Sequence, residues 1–502
     1  MSIVIVDPVS TGGALAAEYY ERGYQLICVW SNEVGDIKSH VPDCAKAIKW
    51  LATVDQMEEP ETSVLAAKIN SLIETELVAC VVGAETGVVT ADALSAELGL
   101  RSNGVNEKRR NKSWQQKTVA SAGLRATREA SGTALSDVET FLETETYPII
   151  VKPTESAGSD GVKKCHSREE AEAHFKLLMK AQRRIGSAIK GAAVICQEFL
   201  AGDEYVVDHV SRDGVHKTCM IWRYDRAATN GGDFVLFNMI PVPADAPVAA
   251  ELIEYTRGIL DALGLRHGPS HGEIMMTRDG PCMVEMNCRA HGADGTWARL
   301  ARELTGGYSQ VDAAVDAMLD DKAFAAIPNV YCNGRSFRAA GQLVQLVSKF
   351  EGTISSVAPL AAIRELRSYQ YMQVAEAVAP GKALVPTIDL FTGMGFVIVC
   401  HAEQAVVAED VATIRALEDE GRLVELLELS SDDEAQEVGE QPSPDAPTTP
   451  RMSPLDYAAQ IELAERVSEQ LWRLSARSSQ CVTPEASWTS LHELSATEVM
   501  AL

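Results

Sequence analysis

The amino-acid sequence predicts an α/β protein with more than one domain. Strand–loop–helix units repeat in the first hundred residues, which is the pattern of a parallel sheet covered by helices. A β-hairpin with a polar exit strand follows near residue 280. At 502 residues the chain is longer than one ordinary domain, so about two to four domains are expected.

The composition argues against several classes of function. The net charge of −26 argues against a nucleic-acid surface and against docking on anionic membranes. No apolar run approaches the ~20 residues of a membrane span, and the chain enters a strand directly after Met1 and Ser2, without the basic segment of a signal peptide. The eleven cysteines are scattered singly and form no C-x-x-C pair, which predicts reduced thiols, no structural zinc site and a cytoplasmic protein.

The first hundred residues predict a small parallel sheet. Buried strands are expected at residues 2–7, 25–30 and 77–82, and helices at residues 14–22 and 91–98. The turn at residues 10–13 contains Thr11-Gly12-Gly13, which invites comparison with a dinucleotide site. The full G-x-G-x-x-G spacing is absent, so a structural turn is the favoured interpretation.

Two lysines and a loop of small residues indicate a phosphate site. A helix is expected at residues 111–122, with Lys112 at its start. The strand at residues 147–153 places Lys152 beneath the loop at residues 154–161, whose backbone N–H groups could cover phosphates. Solvated lysines and a plain hairpin tip are the alternative, since this is not a Gly-Lys-Ser/Thr loop and no helix starts there.

A further strand at residues 193–200 runs into a segment that contains Glu204. The backbone of such a crossover can bind an adenine through single hydrogen bonds, and Glu204 could hold the ribose hydroxyls. The alternative is that Glu204 is an ordinary loop acid.

The hairpin at residues 272–293 carries a set of hard oxygen ligands around an Asp-Gly turn. Glu285, Asn287 and Arg289 alternate along the exit strand and therefore share one face, while Glu273 lies on the entry strand. Two carboxylates and one amide oxygen suit Mg²⁺, and the arginine could hold a phosphate oxygen that the metal leaves uncovered. A solvated strand edge is the alternative.

In this order, the four features resemble the ATP-grasp ligases over about residues 2–425. They are the lysine of Asn111-Lys112, the strand YPIIVKP with its loop, the crossover QEFLAGDEY and the hairpin that ends in VEMNCR. The stretches at residues 352–357, 363–366 and 393–400 are similar to the closing domain of bacterial L-amino-acid ligases, which join amino acids into dipeptides. The sequence departs from the family after its arginine, where AHGADG stands in place of the usual glycines.

The resemblance implies an α+β ATP-grasp fold of three domains. A Rossmann-like pre-ATP-grasp domain would occupy residues 1–105 and a C-terminal α/β closing domain residues 326–428. The ATP-grasp domain between them, at residues 106–325, would contain a lid subdomain at about residues 145–205.

The resemblance also implies roles for individual residues. Arg289 and Lys152 would be catalytic. Two Mg²⁺ ions, which Mn²⁺ could replace, would be ligated by Glu273, Glu285 and Asn287. ATP would be bound by Lys112, Lys152, Ser156, Gly158, Ser159, Gly161, Gln197, Glu198, Phe199, Leu200 and Glu204.

Substrate recognition is predicted to involve basic residues near the pocket strands. Arginine binds both oxygens of a carboxylate at once, which makes Arg223 or Arg226 a candidate contact for an amino-acid carboxylate. His271 and His291 are further candidate substrate residues. The alternative for the two arginines is that they are exposed strand residues.

The reaction that the resemblance implies has two steps. A carboxylate attacks the γ-phosphate of ATP to give an acyl-phosphate, and an amine then displaces phosphate to form an amide. The partners would be a small-molecule carboxylate and amine, and a homodimer is among the expected states because such relatives are often dimers. An ATP-grasp carboxylase or nucleotide-precursor ligase, or a non-catalytic nucleotide-binding regulator, are the alternatives.

The last part of the chain breaks this pattern. Residues 429–454 are first acidic and then rich in proline, serine and threonine, which predicts a disordered linker. Apolar residues recur at intervals of three and four in residues 455–478, which predicts an amphipathic helix. The tail at residues 479–502 has no firm pattern.

Overall fold

The computed structural model describes residues 1–156, 158–180 and 193–427. Within these residues the chain forms four sheets with helices between and around them, in agreement with the predicted α/β class. None of the described helices is both long and apolar enough to cross a membrane. The predicted linker, amphipathic helix and tail of residues 429–502 lie outside the described residues.

The first sheet is parallel and has the strand order β3-β2-β1-β4. Every residue of its central strand SIVIV is buried, as expected for a parallel sheet with helices on both faces. Strand β3 and helices α2 and α3 are additions to the predicted elements. The elements are β1 (Ser2–Val6), α1 (Thr11–Glu21), β2 (Gln25–Trp30), α2 (Asp43–Lys46), β3 (Ala52–Asp55), α3 (Thr62–Ser71), β4 (Leu77–Val82) and α4 (Val88–Glu97).

Helix α1 begins at Thr11 and not at residue 14, which corrects the predicted turn. Gly12 and Gly13 therefore belong to the first turn of the helix. A β-carbon at Gly12 would lie 2.5 Å from the Cα atom of Gly83, so this helix can approach the end of β4 only without a side chain there. Close packing on β4 thus explains why a glycine stands at position 12, and the geometry adds nothing in favour of a dinucleotide site.

The second sheet is small and antiparallel, with the order β5-β8-β6-β7. Ile149 and Val151 point from one face of β6 into a core shared with Phe175 and Leu178 of α7. The sheet begins at Glu129, before the predicted start of the lid subdomain near residue 145. The elements of this part are α5 (Lys112–Ser121), β5 (Glu129–Gly132), α6 (Glu139–Thr144), β6 (Ile149–Pro153), β7 (Lys163–Cys165), α7 (Arg168–Lys180) and β8 (Val194–Glu198).

The third sheet is a large antiparallel sheet with the order β13-β12-β9-β10-β11-β14-β18-β16. Its first five strands in this order precede residue 325, and the last three belong to the predicted closing domain. The first group and its helices are β9 (Gly202–Arg212), β10 (Val215–Thr229), β11 (Gly232–Pro241), α8 (Ala249–Leu263), β12 (Gly268–Thr277), β13 (Gly280–Asn287), α9 (Trp297–Thr305), α10 (Gln310–Leu319) and α11 (Asp321–Ala326).

The predicted closing domain continues this sheet, because β14 pairs with β11 through Val344 and Asn238. A separate three-stranded sheet has the order β17-β15-β19. The elements are β14 (Ala340–Leu346), β15 (Gly352–Ser356), α12 (Ala361–Arg364), β16 (Tyr369–Val374), β17 (Ala383–Leu384), β18 (Gly395–His401), α13 (Gln404–Asp419) and β19 (Glu425–Leu426).

Helix α8 covers one face of the large sheet, and its position shows which side chains lie on the opposite face. A β-carbon at Gly272 of β12 would lie 3.2 Å from Cγ2 of Thr256 in α8. Because side chains alternate along a strand, the neighbours His271 and Glu273 point away from α8. The opposite face of the sheet therefore carries the polar side chains of the hairpin.

We expect Gly12→Ala to destabilise the protein. The added methyl group would collide with backbone atoms of Gly83, and overpacking of this kind typically costs about 1–3 kcal/mol. Gly258→Ala is a matched control in α8, because its β-carbon would meet only the flexible side chain of Leu124 at 3.2 Å. Differential scanning calorimetry should show a lower unfolding temperature for Gly12→Ala alone. Equal unfolding temperatures for the two variants would contradict the close packing of α1 on β4.

Candidate active site

A cleft lies between the small sheet and the face of the large sheet opposite α8. Ile150 and Lys152 of β6 line it from one side, because they alternate with the two core residues of that strand. Most of the residues predicted to bind ATP and two predicted metal ligands line the same cleft. They are Lys112, Lys152, Ser156, Gly158, Ser159, Gln197, Glu198, Phe199, Leu200, Glu204, Glu273 and Glu285.

Glu273 and Glu285 are direct register partners on the antiparallel strands β12 and β13. Two like charges opposite each other on one face of a sheet repel, so this pair requires a cation nearby. Asn287 extends the set along β13, and its amide donates to Oε1 of Glu285 at 3.3 Å. This set of carboxylate and amide oxygens fits the preference of Mg²⁺ for hard ligands.

Helix α5 brings Lys112 to this carboxylate pair. The side chain of Asn111 caps the helix by accepting from the backbone N–H of Trp114 at 3.0 Å. One turn on, Gln115 bonds both polar groups of Met286 at the sheet edge, at 2.7 and 3.0 Å. These contacts fix the helix so that the ammonium group of Lys112 lies 2.8 Å from Oε2 of Glu285.

Lys152 is the second cation of the cleft and is almost completely buried. Burial, together with the charge of Lys112, lowers its pKa to about 8, although Glu285 and Glu273 act in the opposite direction. A lysine with this pKa gains interaction energy when an anion enters the cleft beside it. It is therefore suited to bind a phosphate group.

The loop that follows Lys152 covers the cleft, and residue 157 within it lies outside the described residues. Gly158, Ser159 and Gly161 have positive φ angles, which is common for glycine and uncommon for serine. Gly158 and Ser159 line the cleft, whereas Gly161 does not and packs instead near Pro153 and Leu178.

The loop also touches the C-terminal part of the chain. A β-carbon at Gly158 would lie 2.7 Å from Cε2 of Phe391, so the aromatic ring rests directly on the glycine. Any larger residue at position 158 would displace this ring.

The strand β8 and the crossover after it form the other end of the cleft. Glu198 pairs with Arg128 at 2.6 Å, which leaves mainly its backbone to face a ligand. The side-chain N–H of Gln197 is buried and has no hydrogen-bond partner among the described residues. A buried donor without an acceptor is costly, and a bound ligand could satisfy it. Both carboxylate oxygens of Glu204 accept from Arg226, at 2.8 and 3.3 Å.

Arg289 lies just after β13 and does not line the cleft itself. Its Nη2 group donates to Asn287 at 3.2 Å, and its Nε group donates to Glu85 at 3.0 Å. Glu85 also accepts from Arg110 at 3.0 Å. Burial alone would raise the pKa of Glu85, but the two arginines hold it below its ordinary value.

Glu85 is a site residue that the sequence reasoning missed. It stands in the loop Gly83-Ala84-Glu85-Thr86-Gly87, directly after strand β4. Ligands of α/β proteins bind beyond the carboxyl ends of parallel strands, and this position was the available signal. Thr86 secures the loop by donating to the buried Asp7 at 2.6 Å.

The structure separates the candidate substrate residues. Arg223 stands between Trp222 and Tyr224, which contact Asp208 and His291. Its side chain therefore points to the opposite face, away from the cleft, which argues against the predicted contact of Arg223 with substrate. Arg226 does line the cleft, where it binds Glu204.

His271 and His291 are brought together, but inside the protein. Both are buried, and each bonds the fully buried carboxylate of Asp208, at 3.1 and 3.0 Å respectively. His271 also contacts Oε1 of Glu273 at 3.3 Å. This position, behind a predicted metal ligand, corrects the expectation that the two histidines contact substrate.

Comparison with known proteins agrees with this architecture. Residues 145–297 match the model of the ATP-grasp domain. The chain is 26% identical over 420 residues to dapdiamide A synthase of Enterobacter agglomerans. The aligned region covers 83% of this chain and 95% of that protein. The chain is 27% identical over 211 residues to alanine–anticapsin ligase of Bacillus subtilis (strain 168), covering 39% and 44% of the two chains.

Two solved structures with the same fold are more distant in sequence. L-amino acid ligase from Bacillus licheniformis superimposes with a TM-score of 0.63 at 18% identity, over 84% of this chain and 97% of that one. Carboxyaminoimidazole ribonucleotide synthase from asperigillus clavatus, solved with ATP, gives a TM-score of 0.58 at 13% identity, over 84% and 98%.

The chain therefore contains an ATP-grasp domain, over residues 145–297, and the predicted fold class is confirmed. Within this class, its relatives include a dapdiamide synthase and an alanine–anticapsin ligase, and its fold resembles that of an L-amino acid ligase.

We expect ADP to bind more weakly as the pH rises above about 8. Lys152 loses its charge at this pH, because its pKa is lowered to about 8, and a neutral amine attracts phosphate poorly. Lys152→Arg keeps the charge throughout, so its affinity should vary less with pH. Isothermal titration calorimetry between about pH 7 and pH 9.5 measures both proteins. The same pH dependence in both would rule out Lys152 as its cause.

Proposed function

We propose that this protein is an ATP-dependent carboxylate–amine ligase that forms an amide bond. The observation that carries the proposal is the pair Glu273 and Glu285, held opposite each other beside Lys112 and Lys152 in one cleft. In a protein of the ATP-grasp class, this arrangement suits the binding of a nucleotide triphosphate and its metal ions. The names of the relatives, a synthase and a ligase that joins alanine to anticapsin, favour an amino acid as one substrate.

The residues would divide the work of phosphoryl transfer between them. Glu273, Glu285 and Asn287 would hold Mg²⁺, which neutralises phosphate charge when it is bound. Lys112 and Lys152 would contact the α- and β-phosphates from opposite sides of the cleft. Phosphoryl transfer depends on positioning and charge neutralisation more than on covalent help, which this set of charges provides.

Arg289 would stabilise the transferring phosphoryl group and the acyl-phosphate that forms. Its guanidinium is fixed by Glu85 on one side and Asn287 on the other, so it needs little reorganisation during the reaction. A third group of the guanidinium, Nη1, donates to the backbone carbonyl of Ala290 at 2.8 Å. A planar donor fork of this kind matches the oxygens of a phosphate or carboxylate.

Gly158 and Ser159 would cover the phosphates and exclude water during the second step. An acyl-phosphate hydrolyses in water, so an amide-forming enzyme gains from a closed cleft. The adenine would contact the backbone near Glu198 and the side-chain amide of Gln197. Glu204 would hold the ribose through lone pairs that Arg226 leaves free.

We also propose a cytoplasmic location and small-molecule substrates, and a homodimer stays a prediction. Nine described cysteines are buried or half-buried and Cys44 is exposed, and all ten are free thiols, as expected for a reducing compartment. A carboxylase or nucleotide-precursor ligase is the second reading, because enzymes with such names share the fold. The two readings differ in the co-substrate that triggers phosphate release.

We expect phosphate release from Mg-ATP to require both a carboxylate and an amine. The purified protein would be screened with pairs of amino acids, and products would be identified by mass spectrometry. A product mass equal to the sum of both substrates less water establishes the amide ligase. Release with bicarbonate or a phosphoribosyl precursor alone would instead establish the second reading.

Arg289→Met should lower kcat/KM by roughly 10²–10³-fold, the usual loss when one donor to a developing charge is removed. Arg278→Met, at the exposed tip of the same hairpin, is the matched control and should keep full activity. Equal kcat/KM in the two variants would exclude Arg289 from the reaction. Circular dichroism should confirm that both variants remain folded.

A further inference from the structure

A buried polar network lies behind the proposed metal site and has no part in the mechanism above. Its centre is Asp208, a fully buried carboxylate on β9. A buried carboxylate is retained only where strong hydrogen bonds compensate for the loss of water. The partners of Asp208 therefore show what this charge holds in place.

Each oxygen of Asp208 bonds a different histidine. Oδ1 lies 3.1 Å from Nδ1 of His271, and Oδ2 lies 3.0 Å from Nδ1 of His291. The indole N–H of Trp222 also donates to Oδ2, at 2.8 Å. The carboxylate is thus a fork with one histidine on each arm.

The first arm ends at a proposed metal ligand. His271 stands directly opposite Asp208 in the sheet, and two residues further along the same face stands Glu273. Nε2 of His271 lies 3.3 Å from Oε1 of Glu273. The imidazole of His271 therefore contacts two carboxylates, one through each ring nitrogen.

The second arm ends in the segment after Arg289. Nε2 of His291 lies 2.9 Å from the hydroxyl of Tyr224, and Trp297 stacks on the ring at 5.2 Å. Burial lowers the pKa of His291 to about 4, so the ring is neutral and Nδ1–H donates to Asp208. Its Nε2 atom then accepts from Tyr224, and every polar atom of the ring has a partner.

The backbone of His291 is fixed as firmly as its ring. Its N–H donates to Gln310 at 3.0 Å, and its carbonyl accepts from the hydroxyl of Thr11. His291 therefore anchors the chain only two residues beyond Arg289. A shift of this anchor would displace the backbone that carries Arg289.

The three residues could also be read as ligands of a metal ion, since their donor atoms lie within 4.8 Å of one another. The hydrogen bonds argue against this reading. Both Nδ1 atoms point at Asp208, and both Nε2 atoms are used by Glu273 and Tyr224. The set is complete as a hydrogen-bond network and needs no ion.

We propose that Asp208 is a positioning residue. Through His271 it holds the proposed metal ligand Glu273 in place, and through His291 it holds the segment that carries Arg289. The proposal rests on the function proposed above, and it adds a physical link between metal binding and substrate turnover. Partners that orient a metal ligand commonly change metal affinity by about 10–100-fold when they are removed.

Cutting the first arm should weaken metal binding. In His271→Asn the amide can take the place of Nδ1 and keep the bond to Asp208, but it cannot reach Glu273. We expect Mn²⁺ to bind about tenfold more weakly in the presence of ADP, measured by electron paramagnetic resonance of free Mn²⁺. His271→Gln, whose amide can replace Nε2, should recover part of the affinity.

Cutting the second arm should leave metal binding unchanged and disturb turnover. His291→Gln keeps a partner for Tyr224 and loses the bond to Asp208. We expect Mn²⁺ affinity close to that of the wild type, together with a lower kcat and a higher KM for the carboxylate substrate. Asp208→Asn should show both defects, and adding His271→Asn to it should weaken Mn²⁺ binding no further.

His209→Gln is the matched control for damage to the sheet. His209 is the next residue of β9, is equally buried, and bonds Thr218 at 3.1 Å on the other face. Its unfolding temperature should fall as far as that of the arm variants, with Mn²⁺ affinity unchanged. If Asp208→Asn does not fold, the two histidine variants decide the question alone.

The proposal is overturned if His271→Asn binds Mn²⁺ as tightly as the wild type, or if His209→Gln weakens binding equally. These measurements need no ligase activity, so they stand apart from the proposed function. A weakened Mn²⁺ affinity without any amide product would support the fork and refute the ligase. An amide product together with unchanged Mn²⁺ affinities in the variants would support the ligase and refute the positioning role of Asp208.

Discussion

The site depends on the pairing of β12 with β13, which places Glu273 directly opposite Glu285. Like charges at this spacing destabilise a sheet unless cations compensate them. Lys112 contacts Glu285, and His271 contacts Glu273. The charges of both carboxylates act to raise the pKa of Lys152. Lys112 and Lys152 therefore place positive charge around the pair. A one-residue slip of the hairpin would turn both carboxylates to the α8 face and dismantle the site.

The cations reach this pair because other parts of the fold are fixed against the same hairpin. Strand β13 is a sheet edge, whose polar groups need partners, and Gln115 and Gln116 of α5 supply them. The same packing of α5 against β13 thus protects the sheet edge and places Lys112. The small sheet contributes Lys152 from across the cleft. Two separate cores hold the two walls, which allows the cleft between them to remain open.

The N-terminal sheet contributes to the candidate site through the loop after β4 and the first residue of α1. Asp7, buried at the end of β1, holds Thr86, and the neighbouring Glu85 holds Arg289. The hydroxyl of Thr11 bonds the backbone of His291 on the same side. The surroundings of Arg289 are consequently built where the first and third sheets meet. This explains why residues outside the ATP-grasp match contribute to them.

The sequence alone determined the fold class, the hairpin and most of the residues that line the cleft. Strand alternation is a local property, and Lys152 of β6, Glu273 of β12 and Glu285 of β13 all line the cleft. Contacts across the sheet are not local, and only the tertiary structure decided them. It turned Arg223 away from the cleft and buried His271 and His291 on a carboxylate that the sequence gives no reason to single out. Glu85 reached Arg289 across about two hundred residues of chain because two sheets pack together, and no spacing in a sequence records such an approach.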